Sequence, residues 1–274
     1  MILGGGGVTG IAWTTGIVFG LHEQGIGLLR AHRIIGTSAG STVAAQITSG
    51  VALIELFARQ IDSAKQSKEI TPETQQLDDI ASNLLPLMNI ADDAERMRRI
   101  ADVALQSITV SEPVRRAVIE DRLPSHHWPP HPVAIVAVDT NSLETKLFHR
   151  NSGVSLVDAV AASCAVPGLW PPVTINGRRY MDGGTRSSDN ADLAPDCTVV
   201  LVISPVGLQA NAGLSAQIAA LHAKDVRVRV IEPDRESKNI LGLNPFDLLK
   251  RGPAAHAGRR QSGALGRELA AFWN

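Results

Sequence analysis

Arg33-Ile34-Ile35-Gly36-Thr37-Ser38-Ala39-Gly40-Ser41 decides how this chain is read. Residues 33–35 form a short apolar run, as a strand does, and residues 41–48 are small and apolar, as a buried helix is. A serine flanked by glycines joins them. Upstream, residues 1–3 are the stub of an earlier strand, followed by Gly4-Gly5-Gly6-Gly7-Val8-Thr9-Gly10. Residues 11–24 then place Ile11, Val18 and Leu21 on one helical face, and Gly25 stops the helix. Strand, glycine loop, helix, strand, serine loop, helix is the alternation of a mostly parallel sheet covered by helices.

Downstream, residues 51–120 carry charged helical stretches. Ile80, Leu84, Leu87 and Met88, then Met97, Ile100, Ala104 and Ile108, repeat at helical spacing, and no strand pattern interrupts them. They predict a helical insertion over about residues 51–130, packed beside the sheet of a single 1–274 domain. Prolines make residues 125–132 a loop. Residues 133–138 read as a buried strand with 145–148 as its hairpin arm, 157–164 as a helix, and 173–175 with 179–181 as a hairpin around Asn176-Gly177. Strands at 198–203 and 226–231, a helix at 214–223 and a helical tail from residue 253 complete a three-layer α/β/α expectation.

The 274 residues are 44% hydrophobic and 19% charged, with a formal net charge of −1. No basic field argues for nucleic acid, and no apolar run approaches the roughly 20 residues of a membrane helix. No signal peptide is read, so the expected location is cytoplasmic. Only three residues precede the first glycine, which implies either an unusually short first strand or a start further upstream. Cys164 and Cys197 read as reduced thiols, and no Cys/His spacing calls for a metal. His126, His127 and His131 surround Pro129-Pro130 and cannot share a helical face, so a loop role is expected. Trp13, Trp128, Trp170 and Trp273 read as core or rim.

Gly36 to Gly40 matches G-x-S-x-G. In such a turn the serine sits at the apex between strand and helix, and the helix N-terminus behind it favours developing negative charge. Gly4 to Gly10 supplies backbone amides at another helix N-terminus, suited to an oxyanion. Gly5, Gly7 and Gly10 also fit a dinucleotide fingerprint, but the acid that motif needs after the second strand is replaced by Gly36-Thr37-Ser38. Met181-Asp182-Gly183-Gly184 places a carboxylate after a hairpin strand, where a plain turn role is the competing reading.

In this order, with 162–173 between them, the three elements resemble the patatin-like phospholipases. The resemblance is strongest over residues 1–50 and 130–205. It implies hydrolysis of lipid acyl esters by a Ser–Asp dyad without a catalytic histidine. Ser38 would be nucleophile, Asp182 general base, and Gly5, Gly6 and Gly7 the oxyanion loop, with Gly10, Gly36, Gly40, Gly183 and Gly184 supporting the motifs. No cofactor or metal is implied. The expected partner is a lipid or ester substrate, with transient contact to a membrane surface. The family usually carries Arg or Lys two positions after the third loop glycine, where this chain has Thr9. Two other readings compete. One is a conventional Ser-His-Asp hydrolase completed by His222 or His256. The other is a non-catalytic binding protein, including a dinucleotide binder, on a related fold.

Overall fold

A computed structural model describes residues 1–209 and 211–273. Its first layer of order is one sheet. Strands β1 (Ile2–Leu3), β2 (Ile34–Thr37), β3 (Val133–Asp139), β4 (Thr145–Phe148), β5 (Val173–Ile175), β6 (Arg178–Asp182), β7 (Val199–Ile203) and β8 (Arg227–Ile231) lie in the order β5-β6-β3-β2-β1-β7-β8, with β4 paired to β3. The run β3-β2-β1-β7-β8 is parallel, while β4, β5 and β6 join antiparallel. The strand periodicity of two splits the apolar residues between faces. Leu3, Ile34, Ile135, Leu201 and Ile203 face one hydrophobic core, and Ile2, Ile35, Val136, Val200 and Val202 face the other.

Helices α1 (Gly7–Glu23), α2 (Ala39–Ile47), α3 (Leu53–Ile61), α4 (Thr74–Asp79), α5 (Asp93–Gln106), α6 (Glu112–Arg122), α7 (Leu156–Ser163), α8 (Ala212–His222), α9 (Arg235–Leu241) and α10 (Arg251–Trp273) surround this sheet. The first core takes in α1, α2, α3, α7 and α10, and the second takes in α8. The mostly parallel α/β/α layering expected from the sequence is therefore present. Two residues suffice for β1 because it is central: Ile2 and Leu3 pair with β2 on one side and β7 on the other.

Helix α1 departs from the sequence reading. It starts at Gly7 rather than residue 11, and every residue from Val8 to Leu21 is buried, not one face. The reason is α10, which packs along the side of α1 away from the sheet; Trp13 Nε1 donates to Gln261 Oε1 across that contact at 3.3 Å. Residues 80–89 also depart. They do not continue a regular helix but form a π turn over Ile80–Leu84 and a 3-10 turn over Leu85–Asn89. Pro86 lacks the amide that an α-helix needs at that position, and its ring crowds the preceding turn.

One glycine fixes the junction on which the site is built. A Cβ at Gly40 would collide with the Leu3 carbonyl, so only glycine lets α2 cross this close to β1.

Candidate active site

Ser38 stands where β2 ends and α2 begins. Its backbone has φ 52° and ψ −118°, a conformation that costs a residue with a Cβ on the order of 1–3 kcal/mol. The turn is held from behind. Ser38 N–H donates to Ser163 Oγ at 2.9 Å, Ser41 Oγ donates to the Ser38 carbonyl at 2.6 Å, and the Cys164 thiol donates to the same carbonyl at 3.3 Å. Held this way, the side chain points forward into a cavity.

There it meets Asp182, at the end of β6. Ser38 Oγ donates to Asp182 Oδ2 at 2.7 Å, bringing together residues 144 apart in sequence. The other carboxylate oxygen, Oδ1, accepts the Gly184 N–H at 2.7 Å. Asp182 N–H donates to the Ala165 carbonyl at 2.9 Å, tying the strand end to the segment that leaves α7. Asn190, fully buried, spans the two halves: its Nδ2 donates to Thr37 Oγ1 at 3.1 Å and to the Gly183 carbonyl at 3.2 Å. Thus the turn after β6 is clamped to the end of β2.

Asp182 is 4% exposed. Burial pushes its carboxyl up to about 7, against the opposing pull of the Ser38 hydroxyl, the Gly184 amide and the Arg115 cation. A carboxylate in the ordinary range is a weak base at neutral pH, whereas one near 7 is matched to proton transfer there.

The glycine loop forms the facing wall. Gly7, with φ 62°, turns the chain into α1. Gly5 N–H is committed to the Ser188 carbonyl at 2.8 Å, and Gly4 N–H to that of Ile203 at 2.9 Å. Gly6 and Gly7 donate to no backbone carbonyl among the described residues. Their amides, at the N-terminus of a 17-residue helix, are suited to receive negative charge. Of the supporting glycines, Gly10 N–H donates to the Gly6 carbonyl at 2.9 Å, Gly36 packs on Gly40, and Gly183 packs on the Val136 carbonyl.

Ser38, Asp182 and Gly5 to Gly7 line one cavity of about 290 Å³. Leu84, Met88 and Ile100 from the 51–130 segment close one side, and Val166 and Pro167 the back. Val206, Pro245 and Phe246 complete it. Asp182 is the only ionisable side chain among the described lining residues. Neither His222 nor His256 lines it. His222 ends α8 exposed, and His256 stands on α10 at 5.5 Å from the Phe57 ring. Thr9 is buried in the first turn of α1, its amide donating to the Pro245 carbonyl at 3.1 Å.

The family profile described as Patatin, patatin-like phospholipase, matches residues 1–195. The chain belongs to the patatin-like phospholipase family. No curated protein matches it. Among solved structures, the crystal structure of VipD from Legionella pneumophila matches with a TM-score of 0.46 and 11% identity, over 96% of this chain. The match takes in 66% of that chain, so this chain spans just under two thirds of its length.

This patatin-like chain builds its site partly from residues that no motif marked. Ser163, in the 162–173 segment, accepts the Ser38 amide on its Oγ, and Ser188, outside every motif, accepts the Gly5 amide on its backbone carbonyl. Pro245 and Phe246 come from a segment outside the family match. Arg115 is a buried cation stacked over the Trp170 ring. It shares a stripe with Ile119 and Arg122, spaced four and three, and that periodicity was the available signal.

Proposed function

We propose that this chain is a serine acyl hydrolase acting on uncharged lipid acyl esters, with Ser38 as nucleophile, Asp182 as general base, and the Gly6 and Gly7 amides as oxyanion donors. The observation that carries this reading is the 2.7 Å hydrogen bond from Ser38 Oγ to a buried carboxylate whose pKa is near 7. Asp182 takes the hydroxyl proton as Oγ attacks the ester carbonyl. The carbonyl oxygen becomes an oxyanion facing the helix N-terminus of α1. As the tetrahedral intermediate collapses, Asp182 returns the proton to the leaving alkoxide and Ser38 keeps the acyl group. Water then attacks the acyl-serine, with Asp182 again taking and returning a proton. Gly5, its amide already engaged, shapes the loop rather than donating.

The lining supports this substrate class. Among the described lining residues an anionic head group would find no cation, and only Asp182 to repel it. Acyl chains would find Leu84, Met88, Ile100 and Phe246. Leu85 and Met88 are 56% and 49% exposed, and Leu243, beside the Pro245 wall, is fully exposed. These apolar side chains suit transient contact with a lipid surface. In this reading residues 51–130 are an insertion that covers the site within one 1–274 unit.

A panel of p-nitrophenyl esters of increasing chain length, with monoacylglycerol set against an anionic lysophospholipid, tests this. Uncharged esters should turn over at least tenfold faster, and kcat/KM should rise with pH through an inflection near 7 as Asp182 ionises. Replacement of His222 or His256 by alanine should leave the rates unchanged. Loss of activity in either variant would establish the conventional triad instead, and faster hydrolysis of the anionic lipid would overturn the substrate class.

A further inference from the structure

The glycine loop has no side chain of its own to lock it. Gly4 to Gly7 are four glycines in a row, the backbone with the most freedom to lose. Amides that stabilise an oxyanion must be fixed before the reaction begins. The order in this loop therefore comes from what it packs on. Pro205 backs Gly6 and Pro245 backs Gly7, and a Cβ at either glycine would collide with its proline. The entry to the loop rests instead on the segment that follows Asp182-Gly183-Gly184. Ser188 lines the cavity, and its carbonyl takes the Gly5 N–H at 2.8 Å. Beside it, the Asp189 carboxyl packs directly on Gly4, where a Cβ would collide with Oδ1.

Nothing in the dyad chemistry uses Asp189. It is fully buried, and its Oδ1 has no hydrogen-bond partner among the described residues. Burial pushes its carboxyl up to about 6, against the pull of the Ser204 hydroxyl and the Asn211 amide. A buried acid partnered on one oxygen opposes folding, and such groups persist where function holds them. Its other oxygen, Oδ2, accepts from Asn211 Nδ2 at 2.8 Å. The same Nδ2 donates to Ser188 Oγ at 3.1 Å, and Asn211 Oδ1 accepts the Leu214 N–H at 3.1 Å, capping α8. One amide thus ties both residues under the loop to the start of α8. Further along that helix, Gln217 Oε1 accepts from Ser187 Oγ at 3.3 Å and from the Ala191 N–H at 2.9 Å. Asn211 and α8 lie outside the residues that the family profile matches, so this support does not belong to the motifs that build the loop and the dyad.

We propose that Asp189 and Asn211 are positioning residues for the oxyanion loop. Asp189 seats Gly4, Asn211 holds Ser188 against Gly5, and together they aim the Gly6 and Gly7 amides at the reacting carbonyl. This rests on the reading of those two amides as oxyanion donors. Neither Asp189 nor Asn211 is among the described residues lining the cavity, so both act through the loop and not on the ester. The Gly5 and Gly6 amides belong to neighbouring peptide planes, and releasing the first lets the second turn.

The test compares the full chain with Asp189→Ala, Asp189→Asn and Asn211→Ser. Serine at 211 still caps α8 but has no amide to reach Ser188 and Asp189. Asparagine at 189 keeps the shape against Gly4 and an oxygen for Asn211. Each protein is assayed on a p-nitrophenyl ester and on the matching thionoester, with thermal melting alongside. The sulfur of a thionoester is a poor hydrogen-bond acceptor, so the ratio of ester to thionoester turnover reports the oxyanion donors. Asp189→Ala and Asn211→Ser should lower kcat on the ester by about 10- to 100-fold, hold KM within about twofold, and lower the ratio in step with kcat. Asp189→Asn should retain most of the wild-type rate and ratio. If Asp189→Ala does not fold, Asn211→Ser carries the comparison, because its helix cap is kept. An unchanged ratio in a folded variant, or equal losses on both substrates with a lower melting temperature, would overturn the proposal. Failure of the oxyanion reading looks different: wild type would then prefer the ester no more than water does. Loss of the base in Asp182→Asn would slow both substrates alike.

Discussion

Replacing Ser38 by alanine is expected to lower ester hydrolysis by on the order of 10⁴-fold or more, with the fold retained. Loss of a serine nucleophile removes the covalent route, and what remains is the contribution of the oxyanion donors and substrate binding. No histidine is among the described residues lining the cavity to direct water in its place. The strained backbone at residue 38 would remain, since alanine also carries a Cβ. Folding should still be near wild type, because the turn is held by the Ser38 amide and carbonyl, which the substitution keeps. Hydrolysis of a p-nitrophenyl ester, with circular dichroism to check the fold, measures this. Equal rates in wild type and variant would remove Ser38 from the mechanism.

Replacing Asp182 by asparagine is expected to lower kcat/KM by about 10³–10⁴-fold and to make the protein more stable at pH 8. The first effect is the loss of the proposed general base. The second follows from linkage. The folded-state pKa of Asp182 is raised, to about 7 against an ordinary 3.8. Between those values the folded protein holds a proton that the unfolded chain releases. Wild-type stability therefore falls as pH rises through this window and levels off above about 7. At roughly 1.4 kcal/mol per pH unit, the loss is bounded at about 4 kcal/mol. Asparagine carries no such penalty; its amide oxygen can accept the Gly184 N–H while its Nδ2 donates to Ser38 Oγ. Denaturant melts at pH 4 and pH 8 should show a variant advantage that appears only at the higher pH. A variant less stable than wild type at both values would contradict the burial account.

Both substitutions act on residues visible in the sequence, and the reason is local. The G-x-S-x-G turn and the glycine loop each announce themselves within a few residues, because a tight crossing of backbone demands glycine nearby. Gly40 against the Leu3 carbonyl is such a crossing. The strands were legible for the same reason: 133–138 is apolar throughout, and its β-strand is buried on both faces. Helix α1 departs because its sequence fits one buried face, while α10, 248 residues on at the Trp13–Gln261 contact, covers the other. The 80–89 segment departs because its apolar spacing meets Pro86, and of that set only Leu84 and Met88 line the cavity. Arg115 offers only its spacing with Ile119 and Arg122 as a signal, for a third reason. In a run of charged residues, a buried arginine looks like a solvated one until its partners are known. Ser163, Ser188 and Asn190 act only through contacts that the sequence does not record.

The account turns on one hydroxyl being activated by one buried carboxylate. Fluorophosphonate labelling followed by peptide mass mapping tests that most directly. The account predicts a single adduct on Ser38, formed faster as pH rises through about 7, absent in Ser38→Ala and strongly slowed in Asp182→Asn. A folded wild-type protein that takes no adduct, or one labelled equally fast when Asp182 is asparagine, would contradict it.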